Sequence, residues 1–276
     1  MTVQLSDKCF DDFIKYTHDL TGISISVDRK SMVEGRIRKR LNASEIDSYE
    51  SYLDHIQSDS DELRQFVDVI TTHETYFFRT PLVWRYMEET LLPDWMKRQN
   101  NGRFRAWSAA SSSGEEAHSL GVLCEAFKGS HRGFRYEILG SDISEEMVMR
   151  SREGKYSGRS LRAFRANRPE LFSEYMMCVG DETFQVVETI KNCLEFRQHN
   201  LFKPLISRER FDLILLRNVL IYFAPADQEK VISLICKLLN PNGRLIIGES
   251  ESLSHIETPL EKETHFVYQP RSHEPA

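Results

Sequence analysis

From about residue 100 onward, short β-rich runs alternate with helix-like stretches, and this alternation constrains the chain more than any other feature. The runs are RFRAWSA (103–109), YEILGSD (136–142), CLEFRQHN (193–200), FDLILLRNV (211–219), RLIIGES (244–250) and HFVYQP (265–270). Between them lie GEEAHSLGVLCEAFKG, SEEMVMRSREG, AFRANRPELFSEYM and ADQEKVISLICKLL, all helix-like. Strands alternating with helices predict a doubly wound, mostly parallel α/β sheet covered on both faces. Ligands on such sheets bind at the carboxyl ends of the strands, near the topological switch point. The stretch from about 151 to 195 breaks the alternation. It holds one β-like run, ETFQVVET (182–189), and reads as an insertion forming a small antiparallel subdomain.

Residues 1–80 follow a different pattern. Phe10, Phe13, Ile14 and Tyr16 start one amphipathic stretch. Others run through 28–41, 48–59 and 61–71, each preceded by a residue suited to N-capping. The expectation is a small all-helical domain over 1–80 and an α/β domain over 81–276. The terminal RSHEPA (271–276) reads as a frayed tail.

Composition excludes several classes. A net charge of −6 argues against bulk binding to nucleic acid. There is no apolar run long enough for a transmembrane helix, and the N-terminus lacks the features of a secretory signal. Five cysteines, odd in number and scattered without a CxxC pair, point away from disulfides and zinc and towards a reduced, cytoplasmic protein. With no HExxH among the histidines, no metal site is expected.

Four segments carry candidate chemistry. In WSAASSSGEEAHSLGV (107–122), small residues turn the chain from a strand into a helix at Gly114, so backbone amides can approach a ligand. Glu115 and Glu116 occupy the place where a phosphate would otherwise sit. They disfavour an anion and suit a cationic ligand. Asp142 ends the second strand, where a carboxylate can accept from both ribose hydroxyls. It lies 28 residues past Gly114, farther than the usual spacing of about 20. The apolar run Leu213–Leu216 predicts a strand buried on both faces. It ends in Arg217 and Asn218, which point into the crevice, with Tyr222 close behind. TTHETYFFRT (71–80) joins the two halves with a polar, aromatic and basic cluster. A further segment, 28–40, has six basic residues against two acidic ones, with Arg29, Arg36 and Arg40 on one helical face. It suits either docking to an acidic partner or simple solvation.

WSAASSSGEEAHS, GSDIS, HNLF and LLRNVLIYF, preceded by HETYFFR, together resemble the chemotaxis receptor glutamate methyltransferases, the CheR family. The resemblance spans nearly the whole chain. It implies a Rossmann-like class I methyltransferase domain with a small β-subdomain insertion, preceded by an all-α domain. It implies S-adenosylmethionine as methyl donor, S-adenosylhomocysteine as product, and glutamate carboxylates of a methyl-accepting chemoreceptor as acceptors. Thr75 and Arg79 match the family's Asn-x-Thr-x-Phe-Phe-Arg element, with His73 where asparagine is usual. By the same resemblance, Glu116 faces the cofactor's amino acid part, Asp142 holds the ribose, and Asn200 and Leu201 frame the adenine. Arg217 and Asn218 line the crevice, and Arg79 and Tyr222 stand nearest the transferred methyl as catalytic residues. Ala117 and His118 replace the family's usual proline and tyrosine. The basic helix at 28–40 corresponds to the receptor-contacting helix. The insertion corresponds to a subdomain that in some members takes a peptide from the receptor tail. A monomer is expected. Two other readings stay open at this point: a methyltransferase for RNA or a small molecule, and a catalytically silent receptor-binding module.

Overall fold

The computed structural model describes residues 4–98, 102–207 and 209–271. The expected frayed tail therefore lies outside the described residues, apart from Arg271.

Four helices open the chain: α1 (Asp7–Thr21), α2 (Lys30–Ala43), α3 (Tyr49–Ser58) and α4 (Ser60–Ile70). Ser6, Ser48 and Asp59 cap α1, α3 and α4 by accepting from first-turn amides. A short 3₁₀ turn, Val27–Arg29, leads into α2, which has no such side-chain cap. The apolar row Val33–Ile37–Leu41 packs with Phe10, Phe13, Tyr52 and Phe66 into a core of its own.

Helices α5 (Pro81–Tyr86) and α6 (Leu92–Arg98) follow, joined by a π-helical turn at Met87–Leu91. The sequence reading made no helix here. Pro81 and Pro93 interrupt the periodicity, and the π turn shifts its phase.

The main sheet contains β1 (Phe104–Ser108), β2 (Tyr136–Asp142), β6 (Leu194–Gln198), β7 (Phe211–Leu216), β8 (Leu239–Ile247), β9 (Leu260–Lys262) and β10 (Val267–Pro270). Its order is β6-β2-β1-β7-β8-β10-β9, parallel except where β10 pairs with β8 and β9. The winding direction reverses between β1 and β7, which places the switch point there. Leu213 and Leu215 of β7 pack with α5, α6 and α7 (Glu115–Ser130), whereas Ile214 and Leu216 pack with α12 (Pro225–Cys236). All four are fully buried, as a central strand requires.

After α8 (Glu145–Glu153) the chain makes a second, antiparallel sheet from β3 (Lys155–Ser157), β4 (Met176–Gly180) and β5 (Thr183–Val186), in the order β3-β5-β4. Helices α9 (Arg159–Asn167) and α10 (Pro169–Tyr175) lie between β3 and β4. The single β run read at 182–189 is shorter in the structure. The strand stops at buried Val186, and Glu188–Lys191 turns into a short helix, α11, under Val187. Two of the three strands were invisible locally, since strands of three to five residues carry little period.

The helical domain docks on the catalytic domain through specific contacts. Ser24 N–H donates to the Tyr222 carbonyl at 2.8 Å, and His18 Nε2 lies 2.8 Å from Asp227 Oδ2. Gly22, in the left-handed region at φ 76°, lets the Phe202 ring come so close that a Cβ there would sit 2.0 Å from it.

Candidate active site

A cleft opens at the carboxyl ends of β1, β2 and β7, and its remaining wall comes from the helical domain. Its empty space, counted out into the open solvent at the mouth, is about 1170 Å³. Ten of the residues singled out in the α/β domain and linker line it, His73, Thr75, Arg79, Glu116, Asp142, Asn200, Leu201, Arg217, Asn218 and Tyr222, whereas Glu115 does not.

The floor is set by the loop after β1. Ala109 and Ala110 leave backbone exposed to the cleft, and Ser112 takes a left-handed φ of 49°. Its N–H then reaches Asp142 Oδ2 at 2.8 Å, and Ser144 N–H reaches Oδ1 at 3.0 Å. Burial pushes the Asp142 carboxyl above the usual aspartate range; nearby His73 and the amides of Ser144, Ser112 and Ile143 pull against that. His73 Nδ1 lies 3.9 Å from Asp142 Oδ1, and its Nε2 lies 2.6 Å from Thr71 Oγ1. The Thr71 hydroxyl donates to Val67 O, so His73 Nε2 carries the hydrogen towards Thr71.

The two first-turn glutamates of α7 diverge. Glu115 is buried beside Ser113, away from the cleft, and burial raises its carboxyl. Glu116 faces the cleft and accepts from Ser108 Oγ and Arg217 Nη1, both at 2.8 Å. The second amino group of Arg217 donates to the Arg79 carbonyl at 2.8 Å. Its buried Nε has no partner among the described residues. Asn218, at φ 58°, donates its N–H to buried Glu251 at 2.9 Å and lines the cleft.

Arg79 sits between two residues with positive φ, Phe78 at 55° and Thr80 at 68°. Such strain persists only where the surroundings over-determine it. Here Ser119 Oγ accepts from Phe78 N–H, and the Arg79 carbonyl accepts from both Trp84 Nε1 and Arg217. The Arg79 guanidinium donates to Glu74 O and lies 5.8 Å above the Tyr76 ring. Tyr222 stands in a short 3₁₀ turn and also lines the cleft.

Three sequence expectations change. Asn200 spends its amide holding the fold: Nδ2 donates to Leu20 O, and Oδ1 accepts from Phe202 N–H. It frames the cleft by tying down the end of α1. Arg40 is engaged within the helical domain. It pairs with buried Glu62 at 2.9 and 2.7 Å. Burial opposes ionisation of Glu62, but hydrogen bonds from Arg40 and Tyr52 outweigh it and hold the carboxyl below its usual range. Arg36 lines the cleft and donates to the carbonyls of Ile70 and Thr71 at 2.7 and 3.0 Å. Arg29 also lines the cleft. Sequence reasoning missed these cleft contacts, along with Ile23, Met32, Ser112 and Trp84. Nothing in local spacing points α2 at the strand ends.

The donor set fits S-adenosylmethionine. Asp142 can accept from a diol, Glu116 tolerates a cation, and the orphaned Arg217 Nε–H offers a buried donor to a carboxylate.

The chain matches "CheR methyltransferase, all-alpha domain" over residues 8–71 and "CheR methyltransferase, SAM binding domain" over residues 73–268. It is 31% identical to the chemotaxis protein methyltransferase of Vibrio parahaemolyticus, over 94% of each chain. It is 30% identical to that of Escherichia coli, covering 96% of this chain and 91% of the other. It is also 30% identical to chemotaxis protein methyltransferase 1 of Pseudomonas aeruginosa, with 90% and 91% covered.

Proposed function

The chain belongs to the CheR methyltransferase family, and from that premise we propose that it esterifies glutamate side chains of a chemotaxis receptor with methyl groups from S-adenosylmethionine. The observation that carries this reading is the cleft at the switch point, lined by Asp142, Glu116, Arg79 and Tyr222 together. When bound, S-adenosylmethionine supplies an electrophilic methyl on a cationic sulfur. The residues of the chain bind and orient. Asp142 accepts from the ribose, and Glu116 with Arg217 holds the amino acid end.

A glutamate, with a reference pKa near 4.3, is already a carboxylate at neutral pH, so the attack requires no general base. The protein's contribution is alignment and exclusion of water, and alignment alone is worth roughly 7–11 kcal/mol. Arg79 orients the incoming carboxylate by a charge-assisted hydrogen bond, and Tyr222 fixes the acceptor's approach.

Within this reading, residues 1–80 form the receptor-contacting unit and 81–276 the catalytic unit, with the insertion at about 151–195. Arg29 and Arg36 of the basic segment flank the cleft, where they can meet an acidic acceptor helix. Arg40 is removed from that role by Glu62. The insertion offers edge strand β4, with Met177 and Val179 exposed, to a receptor-tail peptide. The protein acts as a monomer in the cytoplasm; among the described residues no helix is long and apolar enough to cross a membrane.

Calorimetry with S-adenosylmethionine and S-adenosylhomocysteine tests the cofactor, with Asp142→Ala as control. Binding by the wild type and weakening in the variant is expected. No binding by the folded wild type would sink the enzyme reading. Transfer of labelled methyl to a receptor cytoplasmic fragment tests the acceptor. Labelling of RNA or a small molecule instead would reassign it.

A further inference from the structure

The loop between β1 and α7 turns three consecutive carbonyls into the protein, and each meets a buried side chain. Ser151 Oγ, at the end of α8, lies 3.0 Å from Ser112 O and 2.8 Å from Met147 O, and shares its one hydrogen between the two carbonyls. Tyr156 OH, in β3, donates to Ser113 O at 2.8 Å. His118 Nδ1, in α7, lies 3.0 Å from Gly114 O. A carbonyl only accepts, so His118 Nδ1 carries the hydrogen. The same N–H lies 2.8 Å from the Tyr156 hydroxyl oxygen. His118 Nε2 is then bare and has no partner among the described residues. Burial keeps the ring neutral, pushing its pKa down to about 3. The packing leaves no slack: a Cβ on Gly114 would lie 2.8 Å from Ser151 Oγ and 2.9 Å from the Tyr156 hydroxyl.

None of these three side chains lines the cleft. The loop they hold does. Ser112 is gripped from behind through its carbonyl, while in front its N–H holds Asp142 and its hydroxyl donates to His73 O at 3.0 Å. Its left-handed φ of 49° needs such over-determination. Tyr156 reaches a second cleft element as well. Its ring meets Phe77 edge-on at 4.8 Å, and Phe77 N–H donates to Ser160 O in α9. The insertion therefore grips both the loop that orients Asp142 and the segment that carries Arg79.

We propose that Ser151, Tyr156 and His118 are positioning residues for cofactor binding, which makes the inserted three-stranded subdomain a structural part of the cofactor site. This rests on the S-adenosylmethionine reading above. The hydroxyls of Tyr156 and Ser151 act through the loop on cofactor affinity; the Arg79 segment is held by the Tyr156 ring and by Ser160 O, which hydroxyl removal keeps, so methyl transfer and acceptor recognition are left alone.

The test titrates S-adenosylhomocysteine into the full-length wild type, Tyr156→Phe, Ser151→Ala and Tyr175→Phe, with steady-state methylation of a receptor fragment alongside. Tyr175 is a buried tyrosine of the same insertion, packed in its core. Losing one buried hydrogen bond predicts a Kd about tenfold higher in Tyr156→Phe and about fivefold higher in Ser151→Ala. KM for the cofactor rises in parallel, while kcat at saturating cofactor and KM for the acceptor stay within about twofold. Tyr175→Phe binds like the wild type. Wild-type Kd values in both Tyr156→Phe and Ser151→Ala would overturn the proposal. So would an equal loss in Tyr175→Phe, which would indicate general loosening. Should Tyr156→Phe lose its unfolding transition, Ser151→Ala decides alone, since it removes one hydroxyl and keeps the rest in place. A folded wild type that does not bind would overturn the cofactor reading itself, and this proposal with it.

Discussion

Arg217 and Glu116 form a 2.8 Å ion pair at the floor of the cleft, with 1% and 12% of their side chains exposed. They are 101 residues apart in sequence, and the pair joins the end of β7 to the first turn of α7. Removing one partner strands the other charge away from water. Arg217→Met is expected to cost about 3 kcal/mol in urea-induced unfolding and to abolish measurable cofactor binding. Glu116→Gln, which keeps one acceptor, is expected to cost less. Wild-type stability for Arg217→Met would show that Glu116 is better solvated than its burial indicates.

Arg40 supplies a contrast with a surface docking residue. Its guanidinium satisfies Glu62, which is 8% exposed. Arg40→Met should lower unfolding free energy by about 3 kcal/mol without raising the acceptor KM of the molecules still folded. The Glu62 carboxyl is held low, so its contribution is fully present above the ordinary glutamate range and is lost as pH falls through the folded value. The wild type should thus lose more stability on acidification than Arg40→Met. Parallel acid profiles would remove this pair from the balance.

Asp142 gives cofactor affinity a pH dependence of opposite origin. Burial raises its carboxyl against His73 and the surrounding amides. The ionised form accepts from a diol, so affinity for S-adenosylhomocysteine falls as pH drops, starting above the ordinary aspartate range. For folding the sign reverses. A raised carboxyl contributes stability below the ordinary aspartate pKa and loses it as pH rises through the folded value. Calorimetry from the ordinary aspartate range upward should therefore show affinity rising with pH. A flat profile would mean that Asp142 is not the ribose acceptor.

Gly22 tests how the two domains are held. Its φ of 76° and the Phe202 ring both oppose a side chain. Gly22→Ala should destabilise by about 1–2 kcal/mol. Adding Phe202→Leu should recover the steric part and leave the backbone part, giving a non-additive double-mutant cycle. Strict additivity would place the whole cost in the backbone.

The sequence by itself determined the order of most elements, because an apolar period of two or 3.6 residues is a local property. Alternation from residue 100 specified a mostly parallel sheet. The abrupt change from Leu216 to Arg217 marked the end of a central strand, and Asp142 marked the end of its neighbour. Those strand ends gave Asp142, Arg217, Asn218 and nearby Tyr222; the resemblance to the CheR family supplied His73, Thr75, Arg79, Asn200 and Leu201, and all of these line one cleft. Where the period is short or broken, local reading failed, as with β3 and β4 and the helices at 81–98. Only the tertiary structure decided what each polar group faces. Periodicity says which side of a helix is apolar but does not name the neighbour that will satisfy a charge. Arg40 meets Glu62 from 22 residues away, Tyr156 meets Ser113 O from 43, and Asn200 meets Leu20 O from 180. Those long-range hydrogen bonds put Arg40 in an ion pair with buried Glu62 and made Asn200 an interdomain tie as well as a cleft residue. They also made an insertion part of the wall that supports the site. The physical reason is common to all three: a buried polar group must be satisfied by whatever the fold brings within about 3 Å, and the chain brings it from anywhere along its length.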